Sequence, residues 1–228
     1  PARLDFDKKH KLLDKDAKLK FGGGFTYKTR EFLVDEYSLI LIDFSRTAFN
    51  GDPNQLLAPE NIYDPVADSG VALRSDFNIS NNFESAITIG SAYVSEEFQV
   101  TDRLKSIVGL RFEKFDLYYT GRTQEGDNFD NESFIDKADF FPSVNLIYDL
   151  NESRDFKLRG SYARTTARPS FKEASVAQIV DPILGQTFIG NPDIQPTYIN
   201  NFDLRIEKYS EGTDFYALSA FYKTFTDP

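Results

Sequence analysis

The sequence of 228 residues contains no cysteine, no methionine and no tryptophan, and its only histidine is His10. Without cysteine there is no disulfide framework, thiolate metal site or cysteine nucleophile. The lone histidine has no partner at metal-ligand spacing, and no serine, lysine or carboxylate lies in a catalytic pattern. The residues therefore predict no catalytic residues, no metal site and no cofactor, and the chain is not expected to be an enzyme.

Long hydrophobic runs are also missing, since no stretch approaches the roughly 18 apolar residues of a membrane helix. This excludes a helical membrane protein but leaves a β-barrel possible, because barrel strands are only half apolar. The formal net charge of -10 argues against a nucleic-acid partner. The 22 Phe and 12 Tyr are residues typical of sheets and of lipid–water interfaces.

What the sequence does contain is alternation of apolar and polar residues, which gives a strand one greasy face and one wet face. The clearest case sets Phe202, Leu204 and Ile206 opposite Asn201, Asp203, Arg205 and Glu207. The alternation predicts antiparallel strands near 17–34, 86–100, 104–119, 140–150, 156–166, 198–209 and 214–226. An incomplete strand at 3–7 precedes them. Gly22-Gly23-Gly24 predicts a bend rather than a phosphate loop, because the alternation continues past it.

The links between these strands alternate strictly in length. Short links fall at 101–103, 151–154 and 210–213, and long ones at 43–83, 121–137 and 168–196. Outer-membrane barrels have short periplasmic turns and long external loops, whereas a soluble sandwich has no reason to make every second link long. The acids Asp127, Asp130 and Glu132 do not match a calcium loop, and a solvated acidic loop is the better interpretation.

Several motifs resemble one family. They are Val108-Gly109-Leu110-Arg111-Phe112-Glu113, Phe141-Pro142-Ser143, Arg168-Pro169-Ser170-Phe171-Lys172-Glu173 and Gly190-Asn191-Pro192-Asp193-Ile194-Gln195-Pro196. In this order they resemble the mid-barrel region of TonB-dependent outer-membrane receptors. Thr197 stands where that family usually has Glu, and Ile194 where it usually has Leu.

The resemblance implies an all-β fold: a partial antiparallel transmembrane β-barrel, about seven or eight strands of a barrel with about 22. We expect residues 1–228 to be part of one barrel domain, with the plug domain and TonB box elsewhere in a longer polypeptide. The implied function is import of a scarce ligand (siderophore, cobalamin, oligosaccharide or peptide) across the bacterial outer membrane with energy from TonB. The implied partners are the TonB complex, the small-molecule, metal-chelate or glycan ligand, outer-membrane lipid and a surface lipoprotein.

Two other functions stay open at this point: a passive porin or structural barrel, and, less well supported, a soluble secreted β-rich binding domain. In the barrel interpretation, the residues expected to face the lumen are Lys20, Arg111, Glu113, Arg159, Asp203, Arg205 and Glu207. Their simpler interpretation is a solvated, charge-neutral wall. Candidate ligand contacts in the long loops are Tyr63, Phe171 and Phe188, and the alternative is that these rings pack the loops against one another.

Two structural expectations follow. The residues expected to face lipid are Leu19, Phe21, Phe25, Leu110, Phe112, Leu146, Leu158, Phe202, Leu204 and Ile206. Seven strands and a ragged lead-in should form an open sheet, because single-chain bacterial barrels have an even strand number. Since hydrocarbon cannot satisfy free strand edges, the missing partner strands are expected from the rest of the polypeptide, before residue 1 and after residue 228.

Overall fold

The computed structural model describes residues 1–43, 48–181, 183–210 and 214–227. Its centre is one antiparallel sheet of eight strands in the order β1-β2-β5-β6-β7-β8-β11-β12. These strands are β1 Ala2–Leu12, β2 Lys15–Phe32, β5 Phe83–Gln99, β6 Leu104–Arg122, β7 Asn128–Asp149, β8 Phe156–Ala167, β11 Thr197–Tyr209 and β12 Phe215–Thr226. Every neighbouring pair is antiparallel, so the sheet is one continuous meander with insertions.

All seven predicted strands are present, most with ends displaced by no more than three residues. The lead-in at 3–7 is the start of a full strand, β1, whose Leu4, Phe6 and Lys8 pair with Gly23, Phe21 and Leu19 of β2. The run Lys8-Lys9-His10-Lys11 hides its second half, because charged residues stand on both faces there. The sheet therefore has eight strands rather than seven.

The predicted loop at 121–137 is wrong in its extent. The ladder between β6 and β7 continues as far as the pair Arg122 and Asn128, and only a short turn at residues 123–127 joins the two strands. Register shifts between Leu117 and Tyr118 and between Tyr119 and Gly121 interrupt this ladder. Because a bulge moves later side chains to the other face, the period of two is lost from the sequence.

The predicted alternation of short and long connections holds except between β6 and β7, where residues 123–127 form a short link in place of a long loop. A further short link joins β1 to β2 through Leu13 and Asp14, whose φ angles of 55° and 59° fit a tight hairpin turn. The short links at 13–14, 101–103 and 151–154 lie at one end of the sheet, called the turn end. The long connections and the β6–β7 extension with its short turn lie at the other end, called the loop end. The predicted link at 210–213 falls largely on residues 211–213, outside the described residues.

Two small hairpins lie inside the long connections. β3 (Tyr37–Ile42) pairs with β4 (Gly70–Ser75), and β9 (Ile179–Asp181) pairs with β10 (Gln186–Phe188). Short 3-10 turns occur at Pro53–Leu57, Pro59–Asn61 and Ile79–Asn81. Within the described ranges, no helix has the length and apolar character needed to cross a membrane.

The pairing register divides the sheet into two faces, named here after two adjacent residues. The Leu110 face carries all ten residues expected to meet lipid, and the Arg111 face carries the predicted polar set. Seven of the ten are exposed (Phe21, Phe25, Leu110, Phe112, Leu146, Phe202 and Leu204), and Leu19, Leu158 and Ile206 are half-buried. None of the ten lies in a closed core, which contradicts the sandwich arrangement.

The two faces exchange polarity beyond Phe112, on the side of the loop end. On β6 the Leu110 face is mainly apolar from Leu104 to Phe112, a length that fits the about nine to eleven residues of a membrane-spanning β-strand. Lys114 follows on the same face and forms ion pairs with Asp116 and Asp136. Charged groups thus begin where the apolar band ends, as expected at a membrane–water boundary.

Beyond this boundary the Arg111 face becomes apolar and forms the buried core of the chain. The buried side chains of the sheet there are Phe83, Ile87, Phe115, Leu117, Tyr119 and Ile135. Ala174 and Ala177, from the connection between β8 and β11, complete the two clusters. That connection therefore folds back onto the eight-stranded sheet, which we call the wall, instead of projecting freely from it.

The sheet is open, as expected. β1 pairs only with β2, and β12 only with β11, so one edge of each strand is free within the described chain. Free edges of this kind cannot lie in hydrocarbon, because the backbone N–H and C=O groups would lack partners.

Candidate functional site

Two carboxylates on the Arg111 face each lie between two guanidinium groups. Glu113 is buried and forms ion pairs with Arg111, two residues earlier on β6, and with Arg168, which follows the end of β8. The Arg168 guanidinium also lies over the Phe115 ring, with its carbon 4.7 Å from the ring centroid. Because a carboxylate accepts several charge-assisted hydrogen bonds, two arginines can satisfy Glu113 and still keep N–H groups for other partners.

The second carboxylate is Glu207, near the turn end. It accepts hydrogen bonds from Nε of Arg159 at 2.9 Å, from Nε of Arg205 at 2.8 Å and from the Tyr209 hydroxyl at 2.9 Å. Glu207 is 5% exposed, whereas the side chains of Arg159 and Arg205 are 39% and 42% exposed. Each triad carries one net positive charge, and its arginine side chains are more exposed than its glutamate.

The remaining predicted lumen residues lie on the same face. Nζ of Lys20 is 3.8 Å from a carboxylate oxygen of Glu97. The Ser161 hydroxyl donates to Asp203 at 3.4 Å. The register thus places all seven predicted residues on one wall, and their direct contacts join Arg159, Arg205 and Glu207 in one group and Arg111 and Glu113 in another.

The β8–β11 connection begins with a reciprocal hydrogen-bonded turn. The backbone N–H of Ser170 donates to the Glu173 carboxylate at 2.7 Å, and the backbone N–H of Glu173 donates to the Ser170 hydroxyl at 3.3 Å. This is the arrangement of a capping box. The backbone N–H of Ser170 is the main cause that lowers the pKa of Glu173, followed by the Ser170 hydroxyl.

The turn is then packed into the wall. Ala174, Ser175 and Ala177 are fully buried, and the Ser175 hydroxyl oxygen lies 3.3 Å from the hydroxyl oxygen of the fully buried Tyr119. Desolvation is the main effect on the Tyr119 phenol and raises its pKa, whereas the hydrogen bond with Ser175 opposes that shift. A neutral, hydrogen-bonded Tyr119 thus anchors the connection.

Gly190, in the second loop motif, contacts this turn without space for a side chain. A Cβ at Gly190 would lie 2.5 Å from the carbonyl oxygens of Glu173 and Ser175, and 2.6 Å from that of Lys172. The next residue, Asn191, donates its backbone N–H to the Glu173 carbonyl at 2.7 Å. The motif therefore needs glycine because two backbone segments approach closely.

The three candidate ligand contacts have different surroundings. Phe171 is half-buried and packs against both buried clusters, so loop packing accounts for its position. Phe188, in β10, is 37% exposed, and Nζ of Lys172 lies 4.2 Å from its ring centroid. Tyr63 belongs to another loop, where its hydroxyl donates to Asp68 at 3.0 Å.

Sequence reasoning missed the exposed apolar tip that the β9–β10 hairpin carries. Asp181 accepts the backbone N–H groups of Ile183 and Leu184 at 2.8 Å and 3.1 Å, which holds the tip in shape. Ile183 and Leu184 are nevertheless 90% and 68% exposed. The turn residues Asp181 and Gly185 were available as a signal, but the alternation over three residues per strand is too short to read.

The described residues contain no cluster of three or more acidic or histidine side chains that could hold a metal ion. The acids Asp127, Asp130 and Glu132 instead lie along the β6–β7 turn and the start of β7.

The family described as "TonB dependent receptor-like, beta-barrel" matches residues 3–228. The chain belongs to this family. No curated protein matches the chain.

One solved structure with a similar fold is the ferric-catecholate import receptor Fiu of E. coli K12 in its closed form. It shares 15% sequence identity with this barrel segment at a TM-score of 0.52. The match covers 96% of this chain and 30% of that receptor, so the chain spans about a third of the receptor's length.

In this TonB-dependent receptor barrel, motifs distant in sequence meet in space. Glu113 of the β6 motif binds Arg168 of the β8 motif, and Glu173 of the β8 motif accepts a hydrogen bond from Asn191 of the following loop motif. Three of the four motifs that carried the resemblance thus form one structural unit that seats the β8–β11 connection on the wall.

Proposed function

We propose that this chain is part of the barrel of an outer-membrane receptor that imports a scarce ligand with energy supplied by TonB. The observation that carries the proposal is the family match over residues 3–228, joined to a sheet with an apolar membrane band and all long connections at one end. In such barrels the long loops face the outside of the cell and capture takes place there. The similar structure is a ferric-catecholate receptor, which makes a metal chelate the first ligand to test.

The same proposal covers the strands that complete the barrel and the plug inside it. The free edges of β1 and β12 are satisfied by further strands of the same polypeptide, residues 1–228 are one part of a single barrel domain, and a plug fills the lumen. The Arg111 face then lines the lumen. Its two Arg–Glu–Arg triads (Arg111–Glu113–Arg168 and Arg159–Glu207–Arg205) offer guanidinium groups to the plug or to the ligand's path.

Ligand contact is assigned to the loop end. Phe188 and the adjacent tip residues Ile183 and Leu184 offer exposed apolar groups on a hairpin that is seated on the lumen side of the wall. Tyr63 offers a second aromatic contact from the β3–β4 connection. Phe171 is not assigned to ligand contact, because it packs against both buried clusters of the sheet. A surface lipoprotein that caps the loops is a further proposed partner.

Uptake by bacterial cells that carry the full-length receptor in their outer membrane, with and without TonB, tests the proposal. Radiolabelled ferric catecholate, cobalamin, an oligosaccharide and a peptide would be offered separately. Accumulation of one of them only when both receptor and TonB are present is the expected result. Uptake that is unchanged by loss of TonB would contradict the proposal and favour a passive porin.

A further inference from the structure

The Leu110 face has a recess between β7, β8, β11 and β12. The register aligns Leu146, Gly160, Leu204 and Ala220 in one row across these strands. Large and small side chains alternate in the row, because Gly160 has none and Ala220 has a single methyl group. The recess that results is open toward the surroundings of the Leu110 face and has a volume of about 450 Å³.

Aromatic side chains bound the recess on the side of the loop end. The next row consists of Val144, Tyr162, Phe202 and Tyr222. The Tyr162 and Phe202 ring centroids are 5.0 Å apart, and those of Phe202 and Tyr222 are 6.3 Å apart. The recess is therefore a slot whose rim and floor are formed by apolar side chains and strand backbone.

Neither packing nor backbone geometry requires glycine at position 160. A Cβ there would meet no atom within 4 Å, and Gly160 is not among the glycines with positive φ. Glycine inside a strand is otherwise unfavourable, since it adds backbone entropy to the unfolded chain and no contacts to the folded one. Its neighbours β7 and β11 are both present, so the open space above it is not a consequence of the free edge at β12.

The occupant follows from the surroundings of the slot. Leu158 and Ile206 lie one row nearer the turn end and Tyr162 and Phe202 one row nearer the loop end, so the slot is within the apolar membrane band. Water has no polar partners in such a slot, whereas a methylene chain regains the dispersion contacts that an empty recess lacks. We propose that this slot binds one acyl chain of a membrane lipid.

Leucine substitutions in the full-length receptor, compared with a matched control, test the proposal. Gly160→Leu and Ala220→Leu both fill the slot from different strands. Gly90→Leu is the control, because Gly90 lies on the same face outside the slot and a Cβ there also meets no atom within 4 Å. Native mass spectrometry would measure binding of dimyristoylphosphatidylglycerol to each purified receptor in detergent.

The expected result is that each filled slot binds this lipid about tenfold more weakly, a change equivalent to about 1.4 kcal/mol, while Gly90→Leu binds it like the unchanged receptor. Equal binding by all four proteins would overturn the proposal. It would also be overturned if the unchanged receptor is a dimer that Gly160→Leu separates, because a second receptor copy would then occupy the slot. If Gly160→Leu fails to fold, Ala220→Leu takes its place in both the lipid-binding and the dimer measurement.

Discussion

At the scale of single residues, Gly190 and Arg168 hold the β8–β11 connection on the wall. Gly190 does so because it approaches the turn at Lys172–Ser175 so closely that a Cβ would lie within 2.6 Å of three carbonyl oxygens. Arg168 does so because it joins the end of β8 to the buried Glu113 on β6. The Gly190 approach involves backbone atoms, and the carboxylate that Arg168 binds is buried. Rotation of an exposed side chain therefore cannot compensate for the loss of either contact.

Gly190→Ala is expected to detach the connection from the wall, since the new Cβ would lie within 2.6 Å of three carbonyl oxygens. Limited proteolysis should then cleave between residues 170 and 195 much faster than in the unchanged receptor. Gly160→Ala is the matched control, because its Cβ enters open space. Protection of the Gly190→Ala connection equal to that of the control would show that the close approach is not structural.

Arg168→Ala is expected to lower the free energy of unfolding by about 1.5–3 kcal/mol, the range for hydrogen bonds to charged groups. The loss arises because Glu113 remains buried with one guanidinium partner instead of two. Urea titration of the refolded receptor measures the change. Arg74→Ala, which removes an ion pair whose arginine side chain is 59% exposed, should cost less than about 1 kcal/mol. Equal losses in the two variants would contradict a specific role for Arg168.

At the scale of elements, the connection between β8 and β11 is a folded insertion with its own hydrogen bonds and its own part of the core. Its first turn depends on the Glu173 carboxylate, whose pKa is lowered mainly by the backbone N–H of Ser170. A lowered folded pKa means that this carboxylate stabilises the turn above the ordinary carboxyl pKa. The contribution is lost as the pH falls through the folded value.

Acidification from neutral pH to below about pH 4 should therefore loosen the turn at Ser170–Glu173 before the sheet opens. Hydrogen exchange at the amides of Ser170 and Ala174, followed across this pH range with correction for intrinsic rates, measures the effect. Glu173→Gln should show the loosened state already at neutral pH. Glu125→Gln, in the exposed β6–β7 turn, should not. If Glu173→Gln exchanges like the unchanged receptor at neutral pH, the charge of Glu173 does not hold this turn.

Seven of the eight strands of the sheet could be predicted from sequence because each has one mainly apolar and one mainly polar face, whereas the second half of β1 carries charge on both faces. The β6–β7 extension could not, because the bulges near Leu117 and Tyr119 break the period of two. The seating of the loop was equally hidden, because Arg168 and Glu113 are 55 residues apart and meet only through the sheet register. The motifs themselves were visible, but their mutual contacts were not.

At the scale of the whole molecule, the sheet is a wall whose two faces exchange polarity at one level. Between Leu104 and Phe112 the Leu110 face is mainly apolar and the Arg111 face carries charge. Above Lys114 the Leu110 face carries ion pairs, and the Arg111 face holds the buried core with the folded connection. A membrane around the part from Leu104 to Phe112, and water around the part from Lys114 to the loop end, explain this inversion.

The central claim is that this chain is a barrel wall with the Leu110 face in lipid. Because the chain has no cysteine, single cysteines can be placed along β6 of the full-length receptor in membranes, provided the rest of the receptor is also cysteine-free. The series comprises Val108→Cys, Leu110→Cys, Phe112→Cys, Lys114→Cys and Asp116→Cys, and Arg111→Cys reports on the opposite face.

A spin label on each cysteine would compare collision with oxygen, which concentrates in lipid, and with a water-soluble nickel chelate. The account predicts high oxygen and low nickel accessibility at 108, 110 and 112, and a change to high nickel accessibility at 114 and 116. Position 111 should show low oxygen accessibility, unlike its neighbours. High nickel accessibility at 108, 110 and 112 alike would contradict the account, because the Leu110 face would then lie in water.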